Sequence, residues 1–325
     1  MNIVALEPLG IPESEVLRLA GGLTEEGHSF TSYPDRNEDT GELINRAAAA
    51  DIVLLTNQPF RREVIAHCPN LKLIAVAFTG VDHVDMEYCH ERGITVCNAA
   101  GYSTHAVAEL VFGLAISVLR RIVPCDRATR SGGTSNGLIG FELYGKTFGI
   151  VGTGAIGLAA GKIAKAFGCR VLAYSRSRKS EAIDSGIEYT DLDSLLAQSD
   201  IVSLHLPLLE NTRNLIHKEC LELMKPSAIL INTARGPIVD NEALAAALNN
   251  GQIAGAGIDV FETEPPLAED HPLMSARNTV LTPHVAFATH EALRVRAEIV
   301  FANIAQWLKG DPQNVVSRKK EGTSC

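Results

Sequence analysis

The stretch Thr147–Arg178, TFGIVGTGAIGLAAGKIAKAFGCRVLAYSRSR, decides the fold of the segment around it. A short apolar run of strand length leads into Gly152, Gly154 and Gly157, which have the spacing G-x-G-x-x-G. A helical run and a second apolar run follow, so the pattern predicts a strand, a glycine turn, a helix and a strand. The predicted elements are Phe148–Val151, Leu158–Phe167 and Val171–Tyr174.

The three glycines of this pattern suit a dinucleotide. One permits the tight turn, one lets the backbone approach a pyrophosphate, and one allows the helix to pack closely on the strand. The amino end of the helix then offers N–H groups and the positive end of its dipole to the phosphates. Because a strand precedes the turn and another follows the helix, we interpret the segment as a dinucleotide-binding unit and not as an ordinary glycine loop.

The end of the second strand indicates which dinucleotide is bound. NAD sites usually carry Asp or Glu there to bind the ribose 2′-hydroxyl. Here Ser175 is followed by Arg176, Ser177, Arg178 and Lys179, so cations and hydroxyls are available to a 2′-phosphate. One charge-assisted hydrogen bond is worth roughly 1.5–3 kcal/mol, about tenfold to a hundredfold in binding. We predict a preference for NADPH (NADP); the alternative is a solvated basic turn with NAD accepted.

Composition bounds the remaining possibilities. At 325 residues the chain is long enough for two domains, and its 46% hydrophobic content supports a substantial core. Lys and Arg number 29 against 38 Asp and Glu, a net charge of −9 that disfavours general nucleic-acid binding. The net charge does not exclude an anionic substrate. Salt screens the field of distant charges beyond roughly 10 Å, so an arginine close to the substrate decides its binding.

The cysteines indicate a reducing compartment. There are seven, at scattered positions with no C-x-x-C pair, so we predict neither a disulfide framework nor a metal site. We find no apolar stretch of about 20 residues and no secretion signal. We therefore expect a soluble, cytoplasmic protein with no membrane partner.

The first hundred residues alternate short apolar strands with helical patterns, which predicts a parallel sheet covered by helices. This unit has no phosphate-binding glycine pattern, so by elimination we expect it to hold the substrate. The predicted strands are Ile3–Leu6, Phe30–Tyr33, Ile52–Thr56, Leu73–Ala77 and Thr95–Cys97, and the predicted helices are Glu13–Ala20, Gly41–Ala49, Arg61–His67 and Val84–Arg92.

A long apolar helix is predicted over Thr104–Leu119. Apolar residues on nearly every face imply that it is deeply buried, between domains or subunits. The following segment, Pro124–Phe141, is glycine-rich and polar and predicts no regular element. We interpret it as a loop or as an arm that reaches a partner chain.

Strands and helices alternate again after Tyr174, up to a final amphipathic helix over Thr289–Leu308 that is long enough to return to the first unit. The predicted fold class is α/β, with two Rossmann-like, doubly wound parallel-sheet domains. A split, flavodoxin-like substrate domain is expected at residues 1–100 and 290–325, with the dinucleotide-binding domain inserted at 101–289. The tail Val315–Cys325 is predicted to be frayed.

Three groups of polar residues follow predicted strands of the dinucleotide unit, where ligands gather in open parallel sheets. Arg235 follows a strand in NTARG, and its planar guanidinium suits a carboxylate. Glu262 and Glu264 lie in DVFETEPP, and either could supply an acidic group. His284 follows a strand in LTPH; a carboxylate partner would favour the protonated ring, which could then donate a proton near neutral pH.

Six motifs are spread along nearly the whole chain: FTGVDHVDM, GYSTHAVAEL, ELYGKTFGIVGTGAIG, NTARGPIVD, AGIDVFETEP and LTPH. Taken together they make the chain resemble the D-isomer-specific 2-hydroxyacid dehydrogenases, in particular the glyoxylate and hydroxypyruvate reductases. The resemblance implies that Arg235 binds the substrate carboxylate and polarises its carbonyl, and that His284 is the acid/base. It also implies that Glu264 pairs with His284, since the acid of the family stands directly before the proline of F-E-x-E-P.

The same resemblance implies which residues surround the ligands. Backbone groups of Phe78, Thr79, Gly80 and Val81 would bind the substrate carboxylate. The residues implied to bind the cofactor are Thr104, Gly152, Gly154, Ala155, Ile156, Gly157, Ser175, Arg176, Ser177, Pro207, Thr212, Thr233, Ala234, Asp259 and Ala286.

The resemblance also implies a reaction and an assembly. Hydride would pass from C4 of NADPH to the carbonyl carbon of a 2-oxo acid while His284 protonates the oxygen. Arg235 would stabilise the developing alkoxide, and the two domains would close to exclude water. A homodimer is expected, with the helix Thr104–Leu119 and the arm after it at the interface.

Departures from related enzymes narrow the substrate. Glu264 stands where formate dehydrogenases carry glutamine, and the chain has no room for the regulatory domain that phosphoglycerate dehydrogenases often add. Val76 and Phe78 give the pocket wall an apolar character, with no obvious cation for a phosphate. We therefore expect a small, unphosphorylated 2-oxo or 2-hydroxy acid, glyoxylate or hydroxypyruvate; oxidation of phosphoglycerate or phosphite is the alternative.

A different class of function also fits the motifs. Co-repressors related to this family keep the dinucleotide fold and the catalytic three residues but act mainly by binding partners. The chain shows no extended low-complexity tail for such scaffolding, which favours the enzyme.

Overall fold

The computed structural model describes residues 1–316, which form two compact units of α/β structure. The first unit comprises Met1–Ser103 and the described residues from Ala288 onward, and the second comprises Thr104–Phe287. Each unit is built on one sheet, and all pairs of neighbouring strands in both sheets are parallel. Two parallel sheets confirm the predicted fold class.

The sheet of the first unit has five strands in the order β2-β1-β3-β4-β5. Every residue of β3 and β4 is buried, as expected for central parallel strands with helices on both faces. The strands are β1 (Asn2–Ala5), β2 (Ser29–Ser32), β3 (Ile52–Leu55), β4 (Leu73–Val76) and β5 (Thr95–Asn98). The helices are α1 (Glu13–Glu25), α2 (Thr40–Ala47), α3 (Arg62–Ala66) and α4 (Met86–Glu91).

The sheet of the second unit has seven strands in the order β12-β11-β10-β9-β6-β7-β8. The strands are β6 (Thr147–Val151), β7 (Arg170–Tyr174), β8 (Glu188–Tyr189), β9 (Ile201–Leu204), β10 (Ile229–Asn232), β11 (Gly255–Ile258) and β12 (Thr279–Leu281). The helices are α5 (Thr104–Leu119), α6 (Ile122–Arg130), α7 (Ala155–Ala166), α8 (Ser180–Asp184), α9 (Leu192–Gln198), α10 (Lys218–Leu223) and α11 (Asn241–Asn249). The strand order reverses at β6, and ligands bind at such a switch point in open α/β sheets.

The helix α5 begins and ends where the sequence predicts, and most of its residues are buried. It packs on α7 and on β10 and β11. The helix α6 was not predicted, because Pro124 and the polar residues after it obscure the pattern. Pro124 is the third residue of α6, and proline is tolerated in the first turn of a helix.

The last helix, α12 (His290–Leu308), belongs to the first unit and packs on α1 and β4. Thr289 caps it, with Oγ1 accepting from the Ala292 N–H at 3.1 Å. The predicted frayed tail is wrong for its first two residues, because Val315 bridges Cys97 of β5 and the Val316 N–H donates to Val96 O at 2.8 Å. The rest of that tail lies outside the described residues. No helix in residues 1–316 is long and apolar enough to cross a membrane.

Candidate active site

Three neighbouring strands of the second unit, β10, β11 and β12, end at one edge of the sheet. The side chains predicted to carry the chemistry follow the ends of these strands: Arg235 after β10, Glu264 after β11 and His284 after β12. Parallel strands present their carboxyl ends on the same side, so the sheet itself gathers these segments.

His284 and Glu264 are in direct contact. His284 Nδ1 lies 2.8 Å from Oε1 and 2.9 Å from Oε2 of Glu264. Glu262 instead has an oxygen 3.2 Å from His271 Nε2. The structure therefore gives the two acids different partners, which sequence spacing alone left open.

The backbone at His284 adopts an unusual conformation. Its φ is 55°, in the left-handed region that few residues other than glycine adopt readily. The His284 N–H donates to Asp259 O at 2.8 Å, and its ring meets the ring of Phe287 edge-on at 5.6 Å between centroids. Such conformations persist where surrounding contacts hold them, and they cluster at functional sites.

Asp259 holds the loop that carries His284. Its fully buried carboxylate accepts hydrogen bonds from Thr282 Oγ1 at 2.6 Å, from the Val285 N–H at 2.9 Å and from the Ala286 N–H at 2.9 Å. Burial raises the pKa of Asp259, and these hydrogen bonds oppose the shift. From the sequence, Asp259 and Ala286 were predicted to bind the cofactor, but the role of Asp259 in fixing this loop was not predicted. The feature that could have indicated it is a carboxylate directly after a buried strand.

The turn that carries Arg235 is equally fixed. Asn232 Oδ1 accepts from the Ala234 N–H at 3.0 Å, and Asn232 Nδ2 donates to Arg235 O at 3.0 Å. A Cβ on Gly236 would lie 1.9 Å from the carbonyl carbon of Phe261, so only glycine fits there. The close approach fixes the Arg235 turn against the segment that leads to Glu264. Asn232 is a buried positioning residue that the sequence analysis did not identify.

The glycine turn, Gly152–Gly157, has the geometry predicted for it. Gly152 has φ 105°, and a Cβ there would lie 2.4 Å from His205 O. A Cβ on Gly157 would lie 2.0 Å from Gly152 O, so this position needs glycine for close packing. Around Gly154, by contrast, no atom of the described residues other than those of Gly154 and its two chain neighbours lies within 4 Å of the position of a Cβ. The turn therefore fits a pyrophosphate, which needs open space beside the second glycine.

The other predicted cofactor residues lie around the same edge. Thr212 Oγ1 donates to Pro207 O at 2.7 Å and accepts from the Leu209 N–H at 2.7 Å, which closes the loop after β9. Among the described residues, Thr233 is one whose buried hydroxyl has no hydrogen-bond partner, as expected of a group that awaits a ligand. The remaining positions are Thr104 at the start of α5, Ala155 and Ile156 in the first turn of α7, Ala234 beside Arg235, and Ser175, Arg176 and Ser177 after β7.

The segment Phe78–Val81 follows β4 at the carboxyl edge of the first unit's sheet. Asn98 Nδ2 donates to Thr79 O at 2.7 Å, and the Ala99 N–H donates to Phe78 O at 3.0 Å. The segment is thus held by the residues that end β5 and follow it.

Arg296 lies beside Phe78, where the sequence showed no obvious cation for a phosphate. It is 3% exposed, and its guanidinium carbon lies 5.2 Å from the Phe78 ring centroid and 5.8 Å from that of Tyr102. Its Nη2 donates to Leu9 O at 2.6 Å. Burial lowers the pKa of Arg296, while Tyr102 and Glu7 oppose the shift. The sequence does contain a feature that indicates this burial. Arg296 is next to Ala297 and four residues from Ala292, so it lies on the buried face of α12.

The sequence relationships agree with this geometry. The family model described as D-isomer specific 2-hydroxyacid dehydrogenase, NAD binding domain, matches residues 112–286. The chain is 44% identical over 289 residues to a glyoxylate reductase of Thermococcus litoralis, covering 86% of this chain and 87% of the relative. It is 37% identical over 289 residues to a hydroxypyruvate reductase of Blautia hydrogenotrophica, covering 86% of this chain and 89% of the relative.

A solved structure shows the same fold. An acyclic imino acid reductase in complex with NADPH and D-Arg superposes with a TM-score of 0.88 at 32% identity, covering 98% of this chain and all of the other. The matched family domain spans the glycine turn, Arg235, Glu264 and His284. The chain therefore belongs to the D-isomer specific 2-hydroxyacid dehydrogenase family and is an NAD(P)-dependent oxidoreductase.

Proposed function

We propose that this chain reduces a small, unphosphorylated 2-oxo acid, glyoxylate or hydroxypyruvate, to the 2-hydroxy acid with NADPH. The observation that carries the proposal is the contact of His284 Nδ1 with Glu264, at the edge of the sheet where Arg235 also follows a strand. Two relatives with 44% and 37% identity are named glyoxylate reductase and hydroxypyruvate reductase, which supports the choice of acids.

His284 is the proposed proton donor in reduction. Because Nδ1 faces the Glu264 carboxylate, the proton that reaches the substrate oxygen leaves from Nε2. The carboxylate holds Nδ1 and fixes the orientation of the ring until the transfer. Arg235 binds the substrate carboxylate and stabilises the negative charge that develops on the carbonyl oxygen.

The proposed cofactor site is the edge of the sheet around the glycine turn. Bound NADPH supplies the hydride. The open space at Gly154 admits the pyrophosphate, and the buried Thr233 hydroxyl is available to the ligand. The preference for NADPH over NADH rests on the side chains of Ser175, Arg176 and Ser177, two of which are exposed. A structural relative in complex with NADPH supports it.

We further propose that the first unit is the substrate domain and the second the cofactor domain. In the first unit, backbone groups of Phe78, Thr79, Gly80 and Val81 bind the substrate carboxylate. The bonds from Asn98 and Ala99 that fix this segment support the assignment. A cytoplasmic location stays a prediction of the sequence.

The proposed assembly is a homodimer formed through the arm after α6. The apolar side chains of Ile139, Phe141 and Tyr144 are 88%, 57% and 77% exposed. Phe141, Tyr144 and Phe167 line a surface groove of about 450 Å³. Exposed apolar side chains concentrated in one segment are typical of an interface, and a second copy of this chain is the occupant that we propose.

An absorbance assay tests the activity. Purified protein is mixed with NADPH or NADH and with glyoxylate, hydroxypyruvate, pyruvate or a longer branched 2-oxo acid, and cofactor oxidation is followed. We expect oxidation of NADPH to be fastest with glyoxylate or hydroxypyruvate. A higher rate with NADH contradicts the cofactor preference, and cofactor binding without any oxidation contradicts the proposed reaction and favours a binding role.

A further inference from the structure

Tyr189, the last residue of β8, makes two hydrogen bonds with its phenol oxygen. Its O–H donates to Thr153 Oγ1 at 3.0 Å, and the backbone N–H of Lys179 donates to the same oxygen at 3.0 Å. Thr153 lies inside the glycine turn and is 1% exposed. Lys179 ends the basic loop, which we define as Ser175–Lys179. One side chain therefore ties the glycine turn to the basic loop.

The other anchor of the basic loop is the start of α8, where Lys179 O accepts from the Ala182 and Ile183 N–H groups at 3.2 and 3.3 Å. Arg176, Ser177, Arg178 and Lys179 are all exposed. The guanidinium carbon of Arg178 lies 5.9 Å from the Tyr189 ring centroid, within the range of a cation–π contact. Tyr189 thus contacts the loop twice, through its hydroxyl and through the face of its ring.

The two ends of this connection differ in rigidity. The glycine turn is held by backbone contacts, because Gly152 N–H donates to Tyr174 O at 2.8 Å and positions 152 and 157 have no space for a side chain. The loop has long cationic side chains in solvent, and ordering such side chains on binding costs conformational entropy. A hydrogen bond that fixes the loop before binding removes part of that cost.

We propose that Tyr189 is a positioning residue that orders the basic loop to receive the 2′-phosphate of NADPH. The proposal rests on the proposed cofactor preference. Tyr189 acts through the loop backbone at Lys179 and through Thr153, and it orients the loop as a whole. NADH has the same pyrophosphate but no 2′-phosphate, so its binding does not depend on the order of this loop.

Equilibrium binding of the two cofactors tests the proposal. For Tyr189→Phe, which keeps the ring and removes the hydroxyl, we expect the Kd for NADPH to rise about threefold to tenfold, the worth of one net hydrogen bond. The Kd for NADH stays within about twofold of wild type by the same argument. Tyr88→Phe is the matched control, since Tyr88 lies in α4 of the first unit, and it leaves both constants unchanged.

Variants of Thr153 show whether the effect passes through the hydrogen bond. Thr153→Val removes the acceptor and reproduces the loss of NADPH binding, while Thr153→Ser keeps an oxygen and preserves the ratio of the two constants. The double variant Tyr189→Phe with Thr153→Val weakens NADPH binding by much less than the product of the single effects, because both changes remove the same contact. Thermal unfolding of each variant shows that it is folded.

The outcomes separate this proposal from the cofactor preference. If the wild-type protein binds NADH more tightly than NADPH, the preference is wrong, but the change in the ratio of constants still measures the positioning effect. Equal weakening of both cofactors in Tyr189→Phe would mean that Tyr189 supports only the glycine turn or the fold. That result, or an unchanged ratio, overturns the proposal.

Discussion

The proposed proton transfer depends on the pairing of His284 Nδ1 with Glu264, at 2.8 and 2.9 Å. Replacing Glu264 with Gln keeps the shape of the side chain but removes the carboxylate that holds Nδ1 and orients the ring. We expect kcat for reduction to fall in Glu264→Gln, by less than the roughly 10²–10⁴-fold that general acid–base catalysis contributes. The measurement is the steady-state kcat and KM for reduction at one pH.

Glu262→Gln is the matched control for this prediction. Glu262 lies two residues away in the same segment, but its carboxylate contacts His271 at 3.2 Å. Its kcat and KM should match those of the wild type. An unchanged kcat for Glu264→Gln would remove Glu264 from its role, and a fall in both variants would point to a general change in the segment.

Arg235 is expected to act on both binding and turnover. Arg235→Ala removes the partner of the substrate carboxylate and the charge beside the developing oxyanion, so we expect kcat/KM to fall by about a hundredfold or more, with KM raised and kcat lowered. Steady-state kinetics with the best 2-oxo acid measures this. The control is Arg277→Ala, which removes an exposed arginine of the same unit and should leave both constants unchanged. A change in KM alone would contradict a role in the transition state.

Several site residues could be found from the sequence, and the reasons for the others are physical. Arg235 and His284 are recognisable because each follows a strand that the apolar pattern predicts. The partner of each glutamate depends on how the turns after β11 and β12 fold back, which spacing does not encode. Arg296 was missed because a single arginine does not disturb the amphipathic pattern of α12, although its side chain is buried against Phe78.

At the scale of elements, the turn after β10 depends on Gly236. In Gly236→Ala the new Cβ would overlap the backbone carbonyl of Phe261. A backbone carbonyl cannot rotate away as a side chain can, so the overlap is not easily relieved. We expect the free energy of unfolding to fall by about 1–3 kcal/mol or more, the usual cost of overpacking, with loss of activity. Denaturant unfolding and kinetics measure the two effects.

Gly22→Ala provides the opposite control. Gly22 lies in α1 and is exposed, and apart from its chain neighbours and the nearby backbone of α1 no described atom lies within 4 Å of the position of a Cβ. The same substitution should therefore raise the free energy of unfolding by about 0.5–1 kcal/mol, because alanine has a higher helix propensity than glycine. Equal effects of the two substitutions would contradict the packing explanation for Gly236.

We expect the free energy of unfolding to depend on pH because of His205, which directly follows β9. Burial lowers the pKa of His205 from 6.5 to about 4, and its Nε2 lies 2.9 Å from Ser203 Oγ. Between these two pH values the unfolded chain binds a proton that the folded chain does not, so stability falls as the pH falls. The loss from this group is on the order of 3 kcal/mol by pH 4.

His205→Gln tests this assignment. The variant lacks the titrating group, so its free energy of unfolding should fall less than that of the wild type between pH 7 and pH 4. Denaturant titrations at several pH values provide the comparison, with His90→Gln, an exposed change, as the control. Parallel curves for wild type and His205→Gln would show that other groups cause the acid sensitivity.

Most strands and helices could be predicted from the sequence. The strands of a parallel sheet are buried on both faces, so each appears in the sequence as a continuous apolar run. The strands β3 and β4 are buried throughout, and each was predicted to within one residue. The short helix α8 and the helix α6 were not predicted. Both are largely exposed, so neither buries the apolar stripe by which a helix is recognised in a sequence.

At the scale of the whole molecule, the arm after α6 predicts a dimer. Phe141→Glu places a charge in the exposed apolar segment, so we expect a shift from dimer to monomer. Light scattering coupled to gel filtration at several protein concentrations measures the mass. Leu17→Glu is the control, because Leu17 is equally exposed (54%) but lies in α1 of the first unit, and it should leave the mass unchanged.

A wild-type monomer at all concentrations would contradict the proposed assembly, and so would a dimer that Phe141→Glu does not affect. The sequence suggested this interface mainly through the family resemblance, which implies contacts by the helix Thr104–Leu119 and the arm after it, because Pro124–Phe141 has no regular pattern of its own. The structure gives the reason for that absence: the arm packs by backbone contacts, with the Phe141 N–H donating to Leu119 O at 3.0 Å, and leaves its large side chains outside.

The left-handed backbone of His284 has a consequence for how an enzyme of this kind could change over generations. At φ 55° a histidine carries a conformational cost that glycine does not. A change to glycine, which abolishes the acid/base, would therefore meet little opposition from the backbone at this position. Selection for turnover, and not for a stable protein, must keep the imidazole in place. A descendant released from that selection would persist as a folded binding protein without chemistry.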